Sequence, residues 1–215
     1  MPSTHPLPAG ESIVIGLVVA AVVMAPLLSA PADHFWRMIH EGAHALLATV
    51  LGLTVIEIVL DRHSGGRTRI AGEGLRIVLV VLIGYVGPSL FGLGAARLIT
   101  LGYPVAVLWL LVVLLVVVLF LLSRSFGLLS VPIAIFLIYL ILRSTHIGTE
   151  VVAGYAVAWL LLLSGVRAAV AHSTGSAEAD DLRSRTHMPP GLWSLLWLAG
   201  TLTALAVGGK LLVLG

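Results

Sequence analysis

The chain contains no cysteine, which excludes disulfides, thiolate metal sites and a cysteine nucleophile. It is also poor in charge. Only 10% of its 215 residues are Asp, Glu, Lys or Arg, where a soluble domain carries about 25%. A surface so short of charge could not face water. The formal net charge of +2 and the lack of any basic tract argue against nucleic acid as a partner. There is no convincing internal repeat and no sign of a second domain. The N-terminal MPSTHPLPAGES lacks the basic region of a secretory signal, so residues 12–30 read as an uncleaved span.

What the chain has in abundance is apolar sequence, 59% of all residues, with a mean hydropathy of +1.11. Several runs approach or exceed the roughly 20 residues that cross a bilayer. The expected fold is an all-α polytopic membrane protein of six to seven transmembrane helices, forming a single integral membrane domain over residues 1–215. Spans are expected near 12–30, 34–51, 75–99, 103–122, 127–143, 149–171 and 191–213. Asp33 is a plausible N-cap for the second span and Gly52 its stop signal. After it, TVIEIVL is short and β-branched, DRHSGG reads as a turn, and RTRIAG alternates polar with apolar. That pattern predicts a β-hairpin over residues 54–71, unusual between two membrane helices. Residues 172–190 form the only long polar connection and are expected to be a loop.

With seven spans, Arg62, Arg67, Arg69, Arg76, Arg124, Arg167, Arg183 and Arg185 fall toward the face of the N-terminus. Arg37, Arg97, Arg143 and Lys210 fall toward the other. The excess makes the N-terminal face the expected cytoplasmic one.

The segment FWRMIHEGAHALLATVLG, residues 35–52, places His40, Glu41 and His44 in a helix otherwise apolar enough for a membrane. Ionisable groups at such depth are costly and mark function. His40-Glu41-Gly42-Ala43-His44 is an HExxH motif. Residues four apart share a helix face, so both imidazoles can reach one metal ion. Glu41 lies about 100° round from His40, placed to act on water beside the metal without being a ligand. Zinc suits such a site because it accepts imidazole nitrogen and lowers the pKa of water to about 7.

Zinc requires more than two protein ligands. From the residues alone, Asp180 or Asp181 in the late polar loop, or His146 and Glu150 at spacing i,i+4, are candidates. Asp61 and His63 in the hairpin turn read as exposed. At 1.5 Å per residue the histidines lie about 10–16 Å past Asp33, near mid-membrane. Asp180 can therefore reach them only if its loop folds back into the membrane. GYVGPSLFGLGAA, residues 84–96, is the other marked segment. Gly84, Gly87, Gly92 and Gly94 permit close backbone approach, and Pro88 frees a carbonyl, which would suit a helix packed beside a metal site.

HEGAHAL in a membrane helix, the hairpin after it and the GYVGP helix resemble the M50 (site-2 protease) class of intramembrane zinc metalloproteases, and more closely its M50B-like branch. FGLLSV (126–131), WLLLLSGVR (159–167) and ADDLRSRTHMPPGLW (179–193) are also similar to that branch. The resemblance runs from about residue 34 to the C-terminus, with HExxH its specific part. It implies hydrolysis of peptide bonds in or near transmembrane segments of membrane-anchored protein substrates. It further implies a multi-pass protein of a bacterial plasma membrane, with the lipid bilayer as partner and Zn2+ as cofactor. Carried over, His40, His44 and Asp180 would bind zinc, Glu41 would be the catalytic base, and residues 54–60 and 67–71 would present a strand edge to an unwound substrate. The chain has no LDG-like motif, and Ser89, Leu90 and Phe91 follow its Gly-Pro. An M50-like membrane protein that binds zinc and partners without cleaving is the second function class, and a zinc or proton transporter the third.

Overall fold

The computed structural model describes residues 7–25, 29–60, 66–122, 127–144, 146, 148–171 and 177–215. Eight helices and two strands follow one another among these residues. They are α1 (Ala9–Met24), α2 (Ser29–Val50), β1 (Thr54–Leu60), β2 (Gly66–Ala71), α3 (Leu75–Thr100), α4 (Pro104–Leu121), α5 (Gly127–Leu142), α6 (Thr149–Ala171), α7 (Ala177–Thr186) and α8 (Pro190–Leu214). Each of the seven expected spans overlaps a helix, but the first, 12–30, runs past its helix: α1 stops at Met24 and Ser29 already belongs to α2. Four of the helices, α3, α4, α6 and α8, are long and apolar enough to cross a membrane. The α1 and α5 helices have 16 residues each and reach about 24 Å, short of the ~30 Å hydrocarbon core. The chain is an integral membrane protein of all-α class with one small sheet.

Two expectations about helix ends meet different outcomes. Gly52 has φ 70°, and beyond it the Leu53 N–H donates to the Ala48 carbonyl while the Gly52 N–H donates to Thr49. This is a Schellman stop, available cheaply because glycine accepts a left-handed conformation. Asp33, in contrast, is no N-cap. The α2 helix begins four residues earlier, at Ser29, and Asp33 instead forms an ion pair with Arg167 of α6.

The hairpin forms where expected. The strands pair antiparallel, with Ile58 opposite Thr68 and Leu60 opposite Gly66, and an irregularity falls between Val55 and Glu57. It is not an isolated ribbon. Ile58 and Leu60 are fully buried in a core cluster with Met38, Ile39, Leu108 and Leu115. This fixes the hairpin against α2 and α4, because a two-stranded sheet needs a packed face to be stable. Asp61 and His63 of its turn lie outside the described residues, as does Arg124.

The expected polar loop 172–190 contains the α7 helix instead. Ala179 and Leu182, three residues apart, are both 0% exposed and form one apolar stripe. The stripe packs into a cluster with Trp36, Val78, Tyr85, Trp193 and Trp197. Glu178 and Asp180 in the first turn and Arg183 and Arg185 in the last complement the helix dipole. Composition announced a loop, but ten residues with so narrow a stripe become a helix once α3 and α8 offer it a surface. The segment thus folds back onto the bundle.

Candidate metal centre

The α2 and α3 helices run antiparallel, and their approach is set by glycine. A Cβ at Gly87 would stand 2.7 Å from the Ala43 Cβ. At Gly84 it would overlap the His44 ring at Nε2 and Cε1 and stand 2.8 Å from His40 Cε1. Gly92 serves the same end against Leu162 of α6, whereas Gly94 meets nothing and plays no part in packing. The expectation for this glycine-rich helix is thus met at three of its four positions.

Close approach lets α3 orient the His44 imidazole. His44 Nδ1 lies 2.6 Å from the Val80 carbonyl, which can only accept, so Nδ1 carries the proton and donates it. Nε2 is then the ring atom left to face a metal ion. One turn along α3, Pro88 has no N–H for the Gly84 carbonyl. His40 Nδ1 is buried without a partner among the described residues. The His44 contact with Val80 is the usual device for aiming an imidazole at a metal.

The aimed atoms converge. His40 Nε2 and His44 Nε2 are 3.2 Å apart. Glu178 Oε1, delivered by α7, lies 3.1 Å from the first and 3.6 Å from the second. Ligands at 2.0–2.1 Å around a tetrahedral zinc stand about 3.3 Å from one another, so this donor set fits zinc. Burial opposes ionisation of Glu178, but the interactions with His40 and then His44 outweigh it and hold the carboxyl well below its usual range. Metal ligation needs that deprotonated form. His40 and His44 are 4% and 6% exposed, and an aromatic wall seals one side. The Trp36 ring is 4.6 Å from His40, Tyr85 meets His40 edge-on at 5.1 Å, and Trp197 stacks on Tyr85 at 4.2 Å.

Glu41 is buried beside the group but outside it. Its Oε2 accepts a 2.6 Å hydrogen bond from Thr68 Oγ1 on β2. Asp180 is exposed on α7 and is not brought to the histidines. Asp181 pairs with Arg185 on its own helix. His146 is exposed, and Glu150 lies in the first turn of α6, about 30 Å along that helix from the end leading to α7. The sequence reading missed Glu178 and Thr68. A signal for Glu178 existed: on a helical wheel Glu178 falls beside Ala179 and Leu182, while Asp180 falls opposite. Nothing local marks Thr68, which meets Glu41 only through tertiary packing.

Gly84→Ala tests the glycine contact. The added methyl is expected to push both imidazoles off their positions, with an overpacking cost of about 1–3 kcal/mol read as a lower Tm. Displaced ligands should also weaken metal binding about 10-fold or more, measured by competition with a chromogenic chelator.

Comparisons with curated proteins and with solved structures give no match. Comparison with protein families does: the model described as Peptidase M50B-like matches residues 13–208. That span includes the HExxH helix, the hairpin, the glycine-rich helix and α7 alike. On this match over nearly its whole length, the chain belongs to the Peptidase M50B-like family.

Proposed function

We propose that the protein is a zinc-dependent intramembrane endopeptidase that hydrolyses peptide bonds in or near transmembrane segments of membrane-anchored substrates. It would act as a multi-pass protein of a bacterial plasma membrane. The observation that carries this reading is the convergence of His40 Nε2, His44 Nε2 and Glu178 Oε1 on one point, with a buried carboxylate one residue along from His40. In this reading Glu178 takes the place that the resemblance gave to Asp180. A buried glutamate beside two imidazoles, in a chain that belongs to a peptidase family, is hard to account for without water activation.

His40, His44 and Glu178 would hold the ion. Bound zinc supplies an acidified water and polarisation of the scissile carbonyl. The chain's own residues do the rest. Glu41 takes a proton from the attacking water as its oxygen adds to the carbonyl carbon. It then gives that proton to the amide nitrogen as the C–N bond breaks, leaving one acid and one amine terminus. The Trp36, Tyr85 and Trp197 wall keeps bulk water from His40, which strengthens every electrostatic interaction in the site.

Metal removal is the direct test. The protein reconstituted in phosphatidylcholine vesicles should contain about one zinc per chain by mass spectrometry, as a single site of two imidazoles and a carboxylate requires. It should cleave unfolded casein or a fluorogenic single-span peptide, lose that activity in a chelator, and regain it on zinc addition. Stoichiometric zinc without cleavage of either probe would favour the zinc-binding, non-cleaving class. Absence of zinc would overturn the metal site itself.

A further inference from the structure

We infer that Thr68 of the hairpin is a positioning residue for Glu41, so that β2, and not the HExxH helix alone, sets where the general base points; the inference rests on the peptidase reading above. A glutamate side chain has three rotatable bonds, and nothing in an HExxH helix fixes them. Here the carboxylate is held from outside. Thr68 Oγ1 donates to Oε2 at 2.6 Å and reaches toward the Glu41 carbonyl at 3.4 Å. The Gly66 backbone closes on the other oxygen. A Cβ on Gly66 would collide with Oε1 and stand 2.7 Å from Cγ and 2.8 Å from Cδ. One oxygen is bonded and the other is walled.

The clamp is itself rigid. Thr68 is β-branched, so its χ1 is restricted. It sits directly across from Ile58, which is 0% exposed in the core against α2 and α4. Cross-strand partners share a face of the sheet, so the core that anchors Ile58 also fixes the hydroxyl. A misplacement of 1 Å at a reacting group can cost about 10²-fold in rate, so a fixed hydroxyl at this carboxylate bears on turnover. A Thr68 that only stabilised the fold would affect Tm and zinc content but would not separate kcat from KM.

The test uses the full chain in phosphatidylcholine vesicles with the fluorogenic single-span peptide. Thr68→Val keeps shape and removes the hydroxyl; it should lower kcat about 10-fold or more with KM and zinc content unchanged. Thr68→Ser restores the donor and should recover kcat to within about threefold of wild type. Gly66→Ala, which leaves the hydroxyl in place, should also lower kcat, and it decides the matter should Thr68→Val fail to fold. In a Glu41→Gln background, Thr68→Val should add no further loss, because the two residues act as one unit. Independently of turnover, Glu41→Ala should speed amide exchange across residues 66–71, since the tie is mutual. An active wild type with unchanged kcat in both Thr68→Val and Gly66→Ala, or unchanged exchange in Glu41→Ala, would overturn the inference and leave the peptidase reading standing. A zinc-loaded wild type that cleaves neither probe would overturn both.

Discussion

Glu41→Gln should lower kcat about 10²–10⁴-fold, the range a general base contributes, while leaving zinc content at the wild-type level. The substitution is nearly isosteric, and the amide oxygen can still accept from Thr68, so the clamp on the side chain survives. Only the ability to take a proton is lost. Glu41 is not among the three converging donors, so metal affinity has no reason to fall. Measured with the fluorogenic peptide and by mass spectrometry on the same preparation, the two readouts separate roles cleanly. Undiminished cleavage would remove Glu41 from the mechanism. Zinc lost together with activity would make it a ligand instead of a base.

Burying His40, Glu41 and His44 is costly, and the structure shows how part of that cost is met. The His44 Nδ1 proton goes to Val80, and Glu41 Oε2 receives the Thr68 hydroxyl. What remains is His40 Nε2, His44 Nε2 and Glu178 Oε1, 3.1–3.6 Å from one another, a donor set that one divalent ion could engage together. The His40 Nδ1 is left buried without a partner among the described residues.

Most of the scaffold could be read from the chain because apolar runs and β-branched alternation are local signals. The α3 and α6 helices lie within a residue of their expected bounds, and β1 spans the expected Thr54–Leu60. The first span was read three residues late at its start, since Ala9 and Gly10 carry no hydropathy signal although α1 begins there. HExxH was legible because its chemistry is written in one helical turn. The carboxylate that meets the two histidines was not, since it lies 134 residues beyond His44, in a segment whose composition says loop. Parity of spans placed that segment outside the bilayer, and only the buried Ala179 and Leu182 stripe shows why it packs back onto the bundle. The resemblance pointed to Asp180, whereas the acid that stands at the two histidines is Glu178, two residues earlier. The hairpin's contact with Glu41 was beyond any local pattern, because strand register and helix packing must both be known before Thr68 and Glu41 meet.

Glu178→Ala should therefore lower zinc affinity about 100-fold or more, comparable to loss of a ligating group, whereas Asp180→Ala should leave it unchanged. Both residues sit in the first turn of α7, so any general effect of disturbing that turn is shared, and only ligation distinguishes them. Glu178 Oε1 is within 3.6 Å of both imidazoles, while Asp180 points to solvent from the far side of the helix. His44→Ala, losing one of two aimed nitrogens, sets the scale for a true ligand. If Asp180→Ala instead matches His44→Ala and Glu178→Ala does not, α7 must turn by roughly half a revolution when it meets the ion, and the buried Ala179 and Leu182 stripe would have to leave the aromatic cluster. If neither acid matters, the site closes without α7. The packing of that helix against Trp193 and Trp197 would then need a reason other than delivery of a carboxylate.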